Sequence, residues 1–338
     1  MRPLRCLLYF VVAALACAPA ARGQSSPWRP GHGHVPAIAP RQAEAFASQE
    51  ASVGHAEADR LAPRGGCEMV KFAFTVRDKK NRLVLDLAKE ELRVFEDGTE
   101  QRIEYFSPEL TLPLNLGLLI DLSRSQRRRM TAAVHNATEP FFRRALRKGD
   151  QAFVIGFGNE SYLVSDFTDS RENLLQAVRK TSEISASGGT RLYDTIEEAC
   201  REKLATERGR KVLIVITDGE DNSSMKTREE VLEAATRAGA VIYVICTPQP
   251  TAVGSLARGT AVSRYISEQS GGRAFTIVVE KDFADAFNEI AEDLVNQYTV
   301  GYYSTNPPRP GSVRKLRIES TRKGLRFFGP RSYPLPKS

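Results

Sequence analysis

Two stretches limit what this chain can fold into more than any others. "KVLIVIT" at 211–217 and "AVIYVIC" at 240–246 are apolar at almost every position. A strand with one face in water alternates apolar and polar residues. One that is apolar on both faces has to be covered twice, as central parallel strands are by helices. The surrounding pattern agrees. Strands read at 114–121, 151–157, 161–167, 211–217, 241–247 and 273–279. Amphipathic helical periods read near 127–146, 170–181, 191–205, 227–238, 261–270 and 282–296. Strand and helix in alternation specify an α/β fold with a doubly wound, mostly parallel six-stranded sheet. Only the second and third strands are close enough in sequence to form a hairpin.

On both sides of this region the apolar period returns to two. "KFAFTV", "ELRVFEDG" and "QRIEYF" precede it, with turn chemistry in "RDKKNR" and at Asp97-Gly98. "YTVGYY", "VRKLRIES" and "LRFFGPRSY" follow it, with "NPPRPG" as a turn. Each flank, about 40 residues, is too small to bury a core alone. The two are expected to pack together as one discontinuous β-sandwich, in two parts at 67–110 and 299–338, with the α/β domain inserted at 112–298.

The amino terminus reads as an export signal over 1–23. Arg2 and Arg5 precede a short apolar core at Leu7 to Ala20, and Ala21-Arg22-Gly23 suits a cut before Gln24. That core falls short of the roughly 20 apolar residues that span a bilayer, and no second long apolar run follows. The mature chain is therefore expected outside the cytoplasm, secreted or periplasmic, with no membrane span. Residues 24–66, rich in Ala, Pro, Gly, Arg and His, read as a flexible leader. "GHGH" at Gly31 to His34 could bind a transition metal weakly but reads first as solvated linker. Removing the signal takes three arginines and no acids, so the net charge falls from +7 to +4. That mild balance, without aromatic interleaving, does not point to nucleic acid. Cys67, Cys200 and Cys246 remain. They are too few for a disulfide framework, and Cys200 and Cys246 read as buried small apolar residues.

In an open α/β sheet ligands gather at the carboxyl ends of the strands, where strand order reverses. The turn after the first strand carries Asp121, Ser123 and Ser125, whose alternate spacing lets an extended turn aim all three at one point. "SGGTRLYD" places Thr190 after a glycine pair at a helix start, and "VLIVITDGED" ends a buried strand in Thr217, Asp218 and Gly219. If that strand lies beside the first, Asp218 faces Asp121. Two carboxylates and three hydroxyls then surround one hexacoordinate ion. These hard oxygen donors suit Mg²⁺, with Mn²⁺ or Ca²⁺ as alternatives, rather than zinc. Such an ion keeps room for an outside oxygen ligand, above all a carboxylate from a partner protein.

Asp-x-Ser-x-Ser, a distant Thr and a distant Asp in a Thr-Asp-Gly turn resemble the von Willebrand factor type A (VWA) family with its metal-ion-dependent adhesion site. Here the motif falls on Asp121, Ser123, Ser125, Thr190 and Asp218. The resemblance covers about 112–298 and implies a Rossmann-like domain that binds proteins through a divalent cation. The flanks resemble an exported bacterial VWA-related subgroup. In VWA relatives the last helix can shift with the state of the metal site, and here "FADAFNEIAEDLVNQY" runs straight into the second β block. The chain departs from the family at Arg124 and Gln126, which are followed by Arg127, Arg128 and Arg129. Two readings stay open for these arginines: a positive ring that attracts an acidic partner, or a solvated first turn.

Enzyme chemistry finds little support. His32, His34 and His55 lie in the leader, and only His135 lies in the folded body. It reads as a helix-face residue rather than the base of a triad. The body has too few His and Cys for zinc hydrolysis, and no GxxxxGK[ST] phosphate cradle occurs. Glu220 and Asp221 read as solvated loop residues and Asp194 as a loop support. The expectation is a non-enzymatic adhesion or assembly module. The alternatives are a scaffold with an idle metal site and, further off, a metal-assisted hydrolase.

Overall fold

The computed structural model describes residues 69–335 apart from 109–110, 185, 187, 249–254 and 280; the side chains of 124–131, 255 and 256 also lie outside the description. The expectations for the signal, the leader and Cys67 fall outside the described residues.

The α/β region is built as its periodicity requires. Strands β5 (Leu114–Asp121), β6 (Gln151–Phe157), β7 (Ser161–Thr168), β8 (Arg210–Thr217), β9 (Ala240–Cys246) and β10 (Ala274–Thr276) form one six-stranded sheet. Its order is β10-β9-β8-β5-β6-β7. Every pairing is parallel except the β6–β7 hairpin. Strands β5, β8 and β9 are buried along their whole length. One face packs under helices α1 (Arg124–Ala145), α2 (Arg171–Thr181) and α6 (Lys281–Val295), through residues such as Leu118, Ile214, Phe142 and Phe287. The other packs under α3 (Leu192–Glu198), α4 (Arg228–Ala238) and α5 (Ser255–Ser270), through Leu213, Val215, Ile196 and Ile266. The helix expected at 191–205 changes to π geometry over Ala199–Leu204. The expected strand at 273–279 is only three residues long.

The flanking segments form two antiparallel four-stranded sheets, and each mixes strands from both ends of the chain. β1 (Val70–Arg77), β4 (Ile103–Ser107), β11 (Tyr298–Tyr302) and β13 (Arg326–Phe328) make one, in the order β13-β1-β11-β4. β2 (Leu92–Glu96), β3 (Thr99–Gln101), β12 (Val313–Ser320) and β14 (Ser332–Pro334) make the other, in the order β14-β12-β2-β3. Phe72, Phe74, Val94, Val300 and Leu316 share one core between them. Two stretches read as single strands are each two. "QRIEYF" divides between β3 and β4, and "LRFFGPRSY" divides at Gly329-Pro330, each half joining a different sheet. Asp97 and Gly98 take positive φ at the β2–β3 turn, as a tight hairpin needs. Among the described residues no helix is long and apolar enough to cross a membrane.

Candidate metal centre

The sheet order reverses between β5 and β8, which are direct neighbours. Their carboxyl ends deliver Asp121 and Asp218 to one crevice, each 3% exposed. The chain after β5 turns at once. Ser123 is the residue before α1, and Ser125 already has helical backbone. An extended turn over all three residues does not form: a two-residue bend and the first helical turn take its place. The Ser123 amide donates to Asp121 Oδ1 at 2.8 Å, and its hydroxyl also bonds to the Asp121 carboxylate. The Ser125 side chain and those of Arg124 and Arg127 to Arg129 lie outside the described residues.

Thr217, not counted among the candidate ligands, fixes the other carboxylate oxygen. Its Oγ1 donates to Asp121 Oδ2 at 2.8 Å and accepts from the Gly219 amide at 3.1 Å. The sequence carried a signal for it, since one polar residue ends an otherwise aliphatic buried strand. Asp218 Oδ1 accepts from the Glu220 amide at 3.1 Å.

Thr190, 5% exposed, arrives from the loop before α3. The Asn222 side chain accepts from the Thr190 amide at 2.7 Å, and the Thr190 carbonyl accepts from the amides of Asn222 and Ser223 at 3.2 Å. This ties the Thr190 loop to the segment that leaves Asp218. Asn222 had no local signal, because its partner is 32 residues away. Asp194 is the loop support expected. It accepts from Arg191 and from the amides of Met225 and Lys226 at 2.7 to 3.1 Å. Asp221 differs from its reading as a solvated acid. It is half-buried, and it accepts from the Tyr193 amide and the Ser224 hydroxyl.

The electrostatics fit a cation. Burial first, and the neighbouring charge of Asp218 second, push the Asp121 carboxyl up to about 7, against the hydrogen bonds from Ser123 and Thr217. Burial and the charge of Asp218 thus disfavour the Asp121 anion, and a bound divalent ion would reverse that balance. The donors are carboxylate and hydroxyl oxygens, the chemistry of Mg²⁺, Mn²⁺ or Ca²⁺. Among the described residues no three His, Cys, Asp or Glu side chains gather at one point, so a cation here would rely on hydroxyls as well as carboxylates. His135 is engaged elsewhere: its Nε2 lies 3.1 Å from the Val178 carbonyl. Cys200 and Cys246 are free and fully buried, and burial pushes the Cys200 thiol up to about 12.

Several known proteins are similar to this chain in part. A solved structure of von Willebrand factor type A from Catenulispora acidiphila superposes with a TM-score of 0.44 at 13% identity, over 82% of this chain and 76% of that one. Proximal thread matrix protein 1 of the mussel byssus, with a zinc-occupied metal-ion-dependent adhesion site motif, superposes at 0.46 with 18% identity, over 59% and 49%. Pig (Sus scrofa) inter-alpha-trypsin inhibitor heavy chain H4 is 30% identical over 145 residues, which is 39% of this chain and 16% of that protein. The chain thus spans about a sixth of that curated relative. The family description for the von Willebrand factor type A domain matches residues 115–300, more than half of the sequence, and the chain belongs to that family.

Proposed function

We propose that this chain is an exported protein-binding module, serving adhesion or assembly, that takes a carboxylate of its partner as a ligand to a divalent cation. Asp121, Ser123, Ser125, Thr190 and Asp218 hold the ion, some of them through water, and Mg²⁺ is the first choice. The observation that carries the reading is the pair of buried carboxylates at adjacent strand ends, with Asp121 raised by burial and by its neighbour. A site of this kind accepts a hard cation in place of the proton on Asp121, and the oxygen donors leave the ion room for an acidic guest. Export rests on the reading of residues 1–23 as a signal and 24–66 as a leader. The same reading takes 112–298 as the binding domain and 67–110 with 299–338 as its supporting sandwich. No catalytic role is assigned.

The test compares capture of envelope proteins by the intact chain in Mg²⁺ and in EDTA, beside Asp121→Ala. The expected result is capture in Mg²⁺ only, none by Asp121→Ala, and a folded variant by circular dichroism. Equal capture in EDTA, with chelation lowering only the unfolding temperature, would assign the ion a structural role instead.

A further inference from the structure

A cavity of about 300 Å³ opens at the other end of the sheet from the metal centre. Arg210, Lys211 and Val212 line it at the amino end of β8, whereas Asp218 follows the carboxyl end of the same strand. The strand between spans roughly 25 Å. Strand β1, together with Leu316 of β12 and the turn after β13, forms the opposite wall. The cavity therefore lies where the α/β sheet meets the flanking strands, and its role is independent of the metal reading.

Its lining has two properties together. Phe72, Val212, Leu294, Leu316 and Phe328 make it mostly apolar. Three cations, Lys71, Arg210 and Lys211, also line it, and no lining residue is acidic. Arg210 gives its hydrogen bonds to the carbonyls of Leu112 and Leu294 and to Gln297, with Asp150 at 3.9 Å. Lys211 donates to the Ala238 carbonyl at 2.9 Å. Asp150 beside Arg210 and Glu207 near Lys211 offset part of the charge of these two. Lys71 differs: it is exposed, and its ammonium stands 5.0 Å from the centre of the Tyr105 ring. Among the described residues neither lysine has a carboxylate within ion-pair distance. Apolar walls favour an apolar body, and a lining with three cations and no acid favours an anion over a neutral or cationic group.

We propose that this cavity binds a single-chain carboxylate amphiphile of the medium-chain fatty acid class, with its tail among Phe72, Val212 and Phe328 and its carboxylate toward Lys71. Decanoate, decanol and decylammonium share one tail and differ only in head charge. They serve as probes in calorimetric titration of the intact chain, each kept below its aggregation threshold. The expected result is one decanoate per chain, with decylammonium about tenfold weaker. Lys71→Glu, at an exposed position that leaves the fold intact, is expected to weaken decanoate about tenfold and leave decanol unchanged. Ala73→Phe, which fills the cavity, is expected to abolish binding of both. Equal affinity for decanoate and decylammonium, decanoate binding indifferent to Lys71→Glu, or no decanoate binding at all would each overturn the proposal.

Discussion

Thr217 shows how much of the crevice rests on one hydroxyl. It donates to Asp121 Oδ2 and accepts from the Gly219 amide, so it orients the carboxylate and shapes the turn that presents Asp218. Thr217→Val keeps the volume and removes both bonds in a buried place. It should lower stability by about 1–3 kcal/mol and weaken Mg²⁺ binding, while Thr217→Ser retains both properties; thermal unfolding and metal titration of the pair check this. The same carboxylate makes stability depend on pH. In chelated protein the Asp121 carboxyl titrates at about 7, well above its ordinary 3.8. The folded state therefore holds an extra proton between those values. The associated stability is fully present below about pH 4 and is lost as pH rises toward 7, a change of ~4 kcal/mol. Urea unfolding of chelated wild type and Asp121→Asn should show it as a slope across that window that the variant lacks. Parallel profiles for the two proteins would contradict it.

At the scale of elements, the loops of the site are held by close backbone approaches that only glycine permits. A Cβ on Gly259, in α5, would lie 2.0 Å from the Asp218 carbonyl oxygen, and Gly219 has φ of +80° with the Gly259 backbone against it. A Cβ on Gly189 would meet only side-chain atoms, Ser223 Oγ and Asn222 Oδ1. The two positions should respond differently to alanine. Gly259→Ala forces backbone apart and should cost about 1–3 kcal/mol of stability. Gly189→Ala displaces Asn222 from the Thr190 amide, so it should weaken cation binding with a smaller loss of stability. Calorimetric melting and metal titration of the two variants separate these outcomes. The same loops mark how far the sequence could be read. The two-faced apolar strands β5, β6, β8 and β9 were legible to within a residue, because burial on both faces leaves an unmistakable run. Asp121 and Asp218 were legible as crevice residues because they end such runs. The Asn222–Thr190 tie was not, since it joins loops through a tertiary contact with no periodic trace. Nor was the division of "LRFFGPRSY" between two sheets, because a strand pattern names no partner.

Across the whole molecule, the flanking sheets and the α/β domain meet through a buried ionic cluster. Asp293 of α6 is fully buried and bridges Arg77 of β1 at 2.7 Å and Arg273, just before β10, at 2.9 Å. Thr75 donates to the Asp293 carbonyl, and Arg273 also pairs with Glu289, one turn back on α6. Helix α6 is thus fastened to the β-sandwich along its last turns. A helix held this way resists sliding independently of the sandwich, which bears on the family expectation that the last helix moves with the metal site. Removing one carboxylate separates the two ideas. Asp293→Ala takes the nearer carboxylate from the buried guanidinium of Arg77 and leaves it Glu292 at 3.6 Å, a loss of up to about 3–5 kcal/mol. Asp293 is near the carboxyl end of α6, whereas the Asp121–Asp218 crevice lies at the strand ends beside that helix's start. If the cluster only joins the domains, denaturant unfolding should show the full destabilisation while Mg²⁺ affinity at a temperature well below melting stays unchanged. If the sandwich instead sets the position of α6 for the metal site, Mg²⁺ affinity shifts in step with the lost contact, and Arg77→Leu shifts it in the same direction. Rigid fastening predicts the first outcome, because a clamp at one end of a well-packed helix leaves the loops at the other end where their own hydrogen bonds hold them.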